Sequence, residues 1–125
     1  MPNLLYVLIG GAAGAGLRYE VGRLALRAAG PGFPWGTFAV NLVGGLLMGV
    51  LTGAMAGAGA ASRPLWLLLG VGLLGGFTTF SAYSLDLFAM LERGQAGLAL
   101  AYGVGSALGA LALLALGYWA ARALA

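Results

Sequence analysis

Four long apolar stretches, parted only by short turn-rich breaks, dominate this chain of 125 residues. They cover about residues 4–26, 35–57, 64–91 and 96–121, each near or above the ~20 residues that a membrane-spanning helix needs. Six arginines and three acids are all the formal charge available, and a soluble fold of this size could not cover its surface with so little. With 62% of residues hydrophobic and 7% charged, the natural solvent is the bilayer. The connections "RAAGPGFP", "GAGAASRP" and "ERGQ" leave no room for a soluble domain. The expected architecture is therefore all-α: a single membrane domain over 1–125, with antiparallel neighbouring helices. Barrel strands would alternate apolar and polar residues over ~10 positions, and nothing here alternates that way. Tyr6, Trp35, Trp66, Tyr118 and Trp119 fall near segment ends, where an aromatic belt belongs. The opening "MPNLLYVLIGGAAGAG" lacks a basic n-region and runs on toward Arg18, so it reads as a first spanning helix rather than a cleaved leader.

What is missing narrows the chemistry. Cysteine is absent, which removes disulfides and thiolate sites, and so is histidine, the commonest base and metal ligand. "GVGLLG" (Gly70–Gly75) matches a dinucleotide fingerprint letter for letter, but it lies within an apolar span with no preceding strand. Glu20, Asp86 and Glu92 sit near segment ends and form no convincing acid/base pair, so no enzyme is expected. The net charge of +3 is dispersed, with no basic run to track a nucleic acid.

Glycines recur every fourth residue at Gly45, Gly49, Gly53 and Gly57, at Gly10 and Gly14, and at Gly105 and Gly109 with Ala101 extending the face. Such faces let helix backbones approach closely in lipid, within a subunit or between two. Arginine differs by only one or two between the two membrane sides that four spans imply: Arg63 and Arg122 on one, Arg23, Arg27 and Arg93 on the other, with Arg18 joining them if it snorkels outward. The positive-inside signal is feeble, which permits insertion in either direction and an antiparallel homodimer.

The most informative stretch is "GGFTTFSAYSLD" (Gly75–Asp86), whose glycines and β-branched threonines weaken a helix at mid-membrane depth. A continuous helix could survive there if the hydroxyls bonded back to preceding carbonyls. The alternative is an unwound turn, which must be buried in protein or line a wet cavity. Its freed carbonyls would need a partner, and a bare cation would serve. Asn41 in the second span, Tyr102 and Ser106 at i and i+4 in the fourth, and Phe80 and Tyr83 with Ser81 and Ser84 beside them would add a polar track with aromatic walls. That track has no formal charge at its middle. Hydroxyls, amide N–H groups and ring edges can replace an anion's water in weak successive steps.

In "GGAAGAGLRY", "GTFAVNLVGG", "GGFTTFSAYSLD" and the Tyr102/Ser106 pair, the chain resembles the Fluc/CrcB family of small fluoride channels over nearly its whole length. The resemblance implies an antiparallel, dual-topology homodimer with two fluoride pathways between subunits. It also implies a structural sodium ion at the dimer centre, held by backbone carbonyls of the third-helix break, here Gly75 and Thr78. Phe80 and Tyr83 would line the pores with Asn41, Tyr102 and Ser106, and Thr79, Ser81 and Ser84 are further hydroxyl candidates. Arg18 would either draw anions into a vestibule or snorkel at the interface. Tyr83 stands where the family usually has phenylalanine, placing a hydroxyl in the aromatic box. The function so implied is passive export of cytoplasmic fluoride across a prokaryotic plasma membrane, giving fluoride resistance. The expected partners are fluoride, the lipid bilayer and a second copy, with no nucleic acid. A small proton-coupled multidrug exporter is the competing reading; it would need a titratable carboxylate in its pore, and Glu20 is the candidate in the first span. A non-transporting membrane scaffold would explain the glycine faces but not a broken third helix.

Overall fold

The computed structural model describes residues 2–59 and 62–124. The chain ends and part of the "GAGAASRP" connection lie outside the described residues. Every element among the described residues is helical: α1 (Pro2–Ala29), α2 (Trp35–Ala54), a third segment over Arg63–Glu92 in two pieces, and a last helix over Ala96–Leu124. The pieces of the third segment are named α3 (residues 63–77) and α4 (Phe80–Glu92), and the last helix α5.

The breaks follow backbone chemistry. Gly30 adopts φ +74° and its N–H donates to the Leu26 carbonyl, closing α1 with a left-handed residue. Gly94, at φ +75°, does the same after α4: its N–H reaches Leu91 and that of Gln95 reaches Met90. α2 stops at Ala54, short of the expected 57, and Gly57 has φ +82°, so it belongs to the turn and not to the glycine ladder. Within α3, residues Trp66–Leu74 form wide turns in which the Gly75 N–H donates to the Gly70 carbonyl, five residues back. Such turns are uncommon and concentrate near functional sites.

Two helix pairs make the frame. α1 lies against α3 at backbone contact: a side chain at Gly10 would meet the Leu68 carbonyl, and one at Gly14 the Leu73 carbonyl. Gly72 and Gly76 present equally bare faces back to α1, with Gly11 O only 2.6 Å from where a Gly76 Cβ would stand. α2 lies against α5 in the same way, Gly45, Gly49 and Gly53 seating on the carbonyls of Ala110, Leu114 and Tyr118. These ladders are thus consumed within one chain, whereas Gly105 faces open space. Close backbone approach is what holds helices together where lipid is as apolar as leucine.

Large apolar side chains such as Leu8, Ile9, Leu100, Leu111 and Leu116 cover the exterior, a surface that water would not tolerate. Three helical segments are long and apolar enough to cross a membrane: Trp35–Ala54, Arg63–Glu92 and Ala96–Leu124. α1 has 28 residues, ample by length, but carries Arg18, Glu20, Arg23 and Arg27 in its second half. The chain is a multi-pass membrane protein.

Candidate functional site

The third segment comes undone where α3 meets α4. Thr78 (φ −83°, ψ 158°) and Thr79 (φ −150°, ψ 126°) are both extended, so the helix is broken rather than bent. The Thr78 N–H and hydroxyl both donate to the Leu74 carbonyl, at 3.1 and 3.0 Å, ending α3. The Thr79 hydroxyl accepts from the Ala82 N–H at 3.1 Å and caps α4. Gly44 on α2 leaves the room that the Thr78 methyl fills.

Asn41 grips the extended backbone from α2. Its Nδ2 donates to the Thr79 carbonyl (3.0 Å) and its Oδ1 accepts from the Thr79 N–H (2.8 Å), as a neighbouring strand would. These bonds have a consequence for the carbonyls just upstream. The Thr79 N–H, which in a continuous helix would return to Gly75, is committed to Asn41. The Ala82 N–H, which would return to Thr78, is committed to the Thr79 hydroxyl. The carbonyls of Gly75 and Thr78 therefore lose their helical donors. A third carbonyl at the break, Gly76, accepts from Arg18 Nε at 3.0 Å. The guanidinium so placed complements the negative end of α3.

A cavity of about 370 Å³ opens beside the break. Asn41, Thr78, Thr79, Phe80, Tyr83 and Ser106 contribute to its wall, with small and apolar residues of α2 and α5 completing it. No aspartate, glutamate or arginine stands on that wall. Ser106 is 4% exposed and its hydroxyl has no hydrogen-bond partner among the described residues, a costly state for a buried donor. Phe80 is 78% exposed, its ring 5.5 Å from that of Tyr83. A second cavity of about 400 Å³ is lined by Arg18, Tyr19, Arg23, Thr37 and Ala82 among others. Thr79 is common to both walls.

The remaining expected site residues sit differently. Tyr102 is 1% exposed and shares the buried face of α5 with Ser106, but it is not on the wall of the first cavity. Its ring packs among Phe33, Phe38 and Tyr83, and its hydroxyl donates to Asp86 Oδ2 at 2.9 Å. Ser81 and Ser84 are exposed on α4, Ser81 lying 3.3 Å from the Thr79 hydroxyl. Sequence reasoning gave no role to Gly103 or the Asp86 carboxylate, and to Gly76 only that of weakening the helix. Gly103 accepts the Tyr83 hydroxyl at 2.6 Å; its only prior signal was a glycine one residue from Tyr102. No group of three or more metal-ligating acids or histidines occurs among the described residues, so a cation here would have to take backbone or hydroxyl oxygens.

Comparison with known proteins gives a consistent picture. The sequence profile of the family described as CrcB-like protein, Camphor Resistance (CrcB), matches residues 5–118. A protein of Phenylobacterium zucineum named fluoride-specific ion channel FluC is 56% identical over 123 residues, covering 98% of this chain and 97% of its own length. Proteins of the same name from Novosphingobium aromaticivorans and Chelativorans sp. are 53% and 48% identical, covering 94% and 99% of this chain and the same shares of their own lengths. Relatives named as channels point to ion transport rather than an enzymatic reaction. With matches of this extent along nearly its whole length, the chain belongs to the CrcB-like family.

Proposed function

We propose that the protein is a fluoride-selective channel, a reading supported by relatives named fluoride-specific ion channels, and that it exports cytoplasmic fluoride passively across a bacterial plasma membrane. The observation that carries this reading is the uncharged cavity at the break, where the buried Ser106 hydroxyl is without a partner among the described residues. Fluoride is small and strongly hydrated, and an O–H donor can replace one of its waters. Asn41 has one N–H left after binding Thr79, and the rings of Phe80 and Tyr83 supply positive edges. A guanidinium on that wall would hold the anion too tightly for release, and a carboxylate would repel it. The cavity containing Arg18 serves as the vestibule. Its guanidinium raises the local anion concentration while Nε stays on Gly76.

The working unit is an antiparallel homodimer with two pathways. Support comes from the near-even split of arginines. A structural sodium ion fits the donor set at the break. Gly75 and Thr78 offer carbonyl oxygens without helical donors, and a hard cation takes such oxygens. When bound, the ion supplies the positive charge that these carbonyls otherwise lack in lipid. The exporter reading loses ground because Glu20 is exposed and paired with Arg23 at 2.7 Å.

Purified protein in liposomes loaded with fluoride tests the reading. Efflux is expected to be electrogenic, to need no pH gradient, to discriminate against chloride and to survive Glu20→Gln. Flux that demands a proton gradient and vanishes with that substitution would establish the exporter instead.

A further inference from the structure

Tyr83 carries a hydroxyl beside the first cavity, and that hydroxyl has a specific destination. It donates to the Gly103 carbonyl on α5 at 2.6 Å, a short and strong contact. Gly103 is not part of the cavity wall, whereas the ring of Tyr83 is. The ring is also held on two sides, 5.4 Å from Tyr102 and 5.5 Å from Phe80. Tyr102 in turn is anchored through Asp86 at 2.9 Å, also on α4. Two tyrosine hydroxyls, one from each helix, thus tie α4 to α5 in opposite directions. Gly103 is suited to its part: a Cβ there would stand 3.5 Å from the Tyr83 hydroxyl and 3.2 Å from Leu87 Cδ2.

We infer that the Tyr83 hydroxyl is a positioning group for the pathway and not a ligand of the passing ion. By donating to Gly103 it fixes the ring beside Phe80, so the cavity wall cannot widen by ring rotation. Ser106 remains a buried hydroxyl without a partner among the described residues, free to meet the anion. The inference rests on the fluoride-channel reading for its selectivity consequence, but the bond itself can be examined without any flux.

Tyr83→Phe keeps the ring and removes only the tie. Ultraviolet resonance Raman spectra of the wild-type protein minus Tyr83→Phe isolate the Tyr83 phenol, and a strong-donor doublet is expected. An acceptor-type or solvent-type doublet would overturn the inference. In liposomes, Tyr83→Phe should lower the fluoride-to-chloride permeability ratio by about threefold or more, the scale of one lost hydrogen bond. A ratio equal to that of the wild type would also overturn it, since a purely structural tie or an idle hydroxyl would leave selectivity untouched. A wild-type protein that passes no fluoride yet shows the donor doublet would sink the channel reading and leave the tie standing, so the two failures read apart.

Discussion

Replacing Asn41 by alanine removes both hydrogen bonds that hold the Thr79 backbone in its extended form. Each buried backbone group left without a partner costs about 1–3 kcal/mol, so a bare Thr79 N–H and carbonyl together would cost roughly 2–6 kcal/mol. That exceeds the ~0.6 kcal/mol that an average interhelical hydrogen bond contributes in a membrane, because here the alternative is an unsatisfied group and not a different partner. The chain has a way out: the Thr79 N–H can return to the Gly75 carbonyl and rewind the helix. At the lower bound, 2 kcal/mol against the unwound form lowers the ratio of unwound to rewound chains about thirtyfold, and the initial rate of fluoride efflux from liposomes falls with the unwound fraction. Hydrogen exchange gives a second reading, with the Thr79 amide changing partner. Asn41→Asp keeps an acceptor for the Thr79 N–H but loses the donor and adds a negative charge to the cavity wall, so it should block fluoride as well. An Asn41→Ala protein with efflux within about twofold of wild type and an unaltered Thr79 amide would refute the reasoning that Asn41 maintains the break.

Ser106→Ala deletes the one buried hydroxyl without a partner among the described residues. It is expected to slow efflux about tenfold, the equivalent of one hydrogen bond to an ion, while thermal stability in detergent holds or rises. On the proposed reading, Phe80→Ile should slow fluoride severely and leave assembly intact on size-exclusion chromatography, because the exposed ring adds little to the core. Gly49→Ala drives a methyl into the Leu114 carbonyl. It should cost roughly 1–3 kcal/mol of stability, seen as a lower unfolding midpoint, whereas Gly105→Ala meets nothing within the chain and should leave that midpoint unchanged.

Much of this was legible in the residues. The paired glycines and threonines of "GGFTTFS" announce the break, because both residue types weaken a helix where water cannot compensate. Asn41 could be assigned to the site by depth alone, but not its two-bond grip on Thr79, which depends on how α2 crosses the break. The spacing of Tyr102 and Ser106 correctly placed both on one buried face. It could not show that the longer tyrosine side chain reaches past Tyr83 to Asp86 while the serine stays at the cavity. Arg18 was readable only as a charge near a helix end; its bond to Gly76 arises because α1 and α3 touch at glycines, bringing that carbonyl within reach. The wide turns of Trp66–Leu74 were not anticipated from the residues. Gly57 continued the ladder in spacing but not in space, because its positive φ takes the chain out of α2.

The seating of Gly10 and Gly14 on α3, and of Gly45, Gly49 and Gly53 on α5, also bears on motion. Main chain rests on main chain at these points, with no side-chain cushion to deform, so neither pair can creep past its mate by a fraction of a turn without collision. A gate worked by sliding rods has nowhere to travel in such a frame. On the proposed channel reading, its throughput should vary little with membrane voltage or tension beyond their direct pull on the charge.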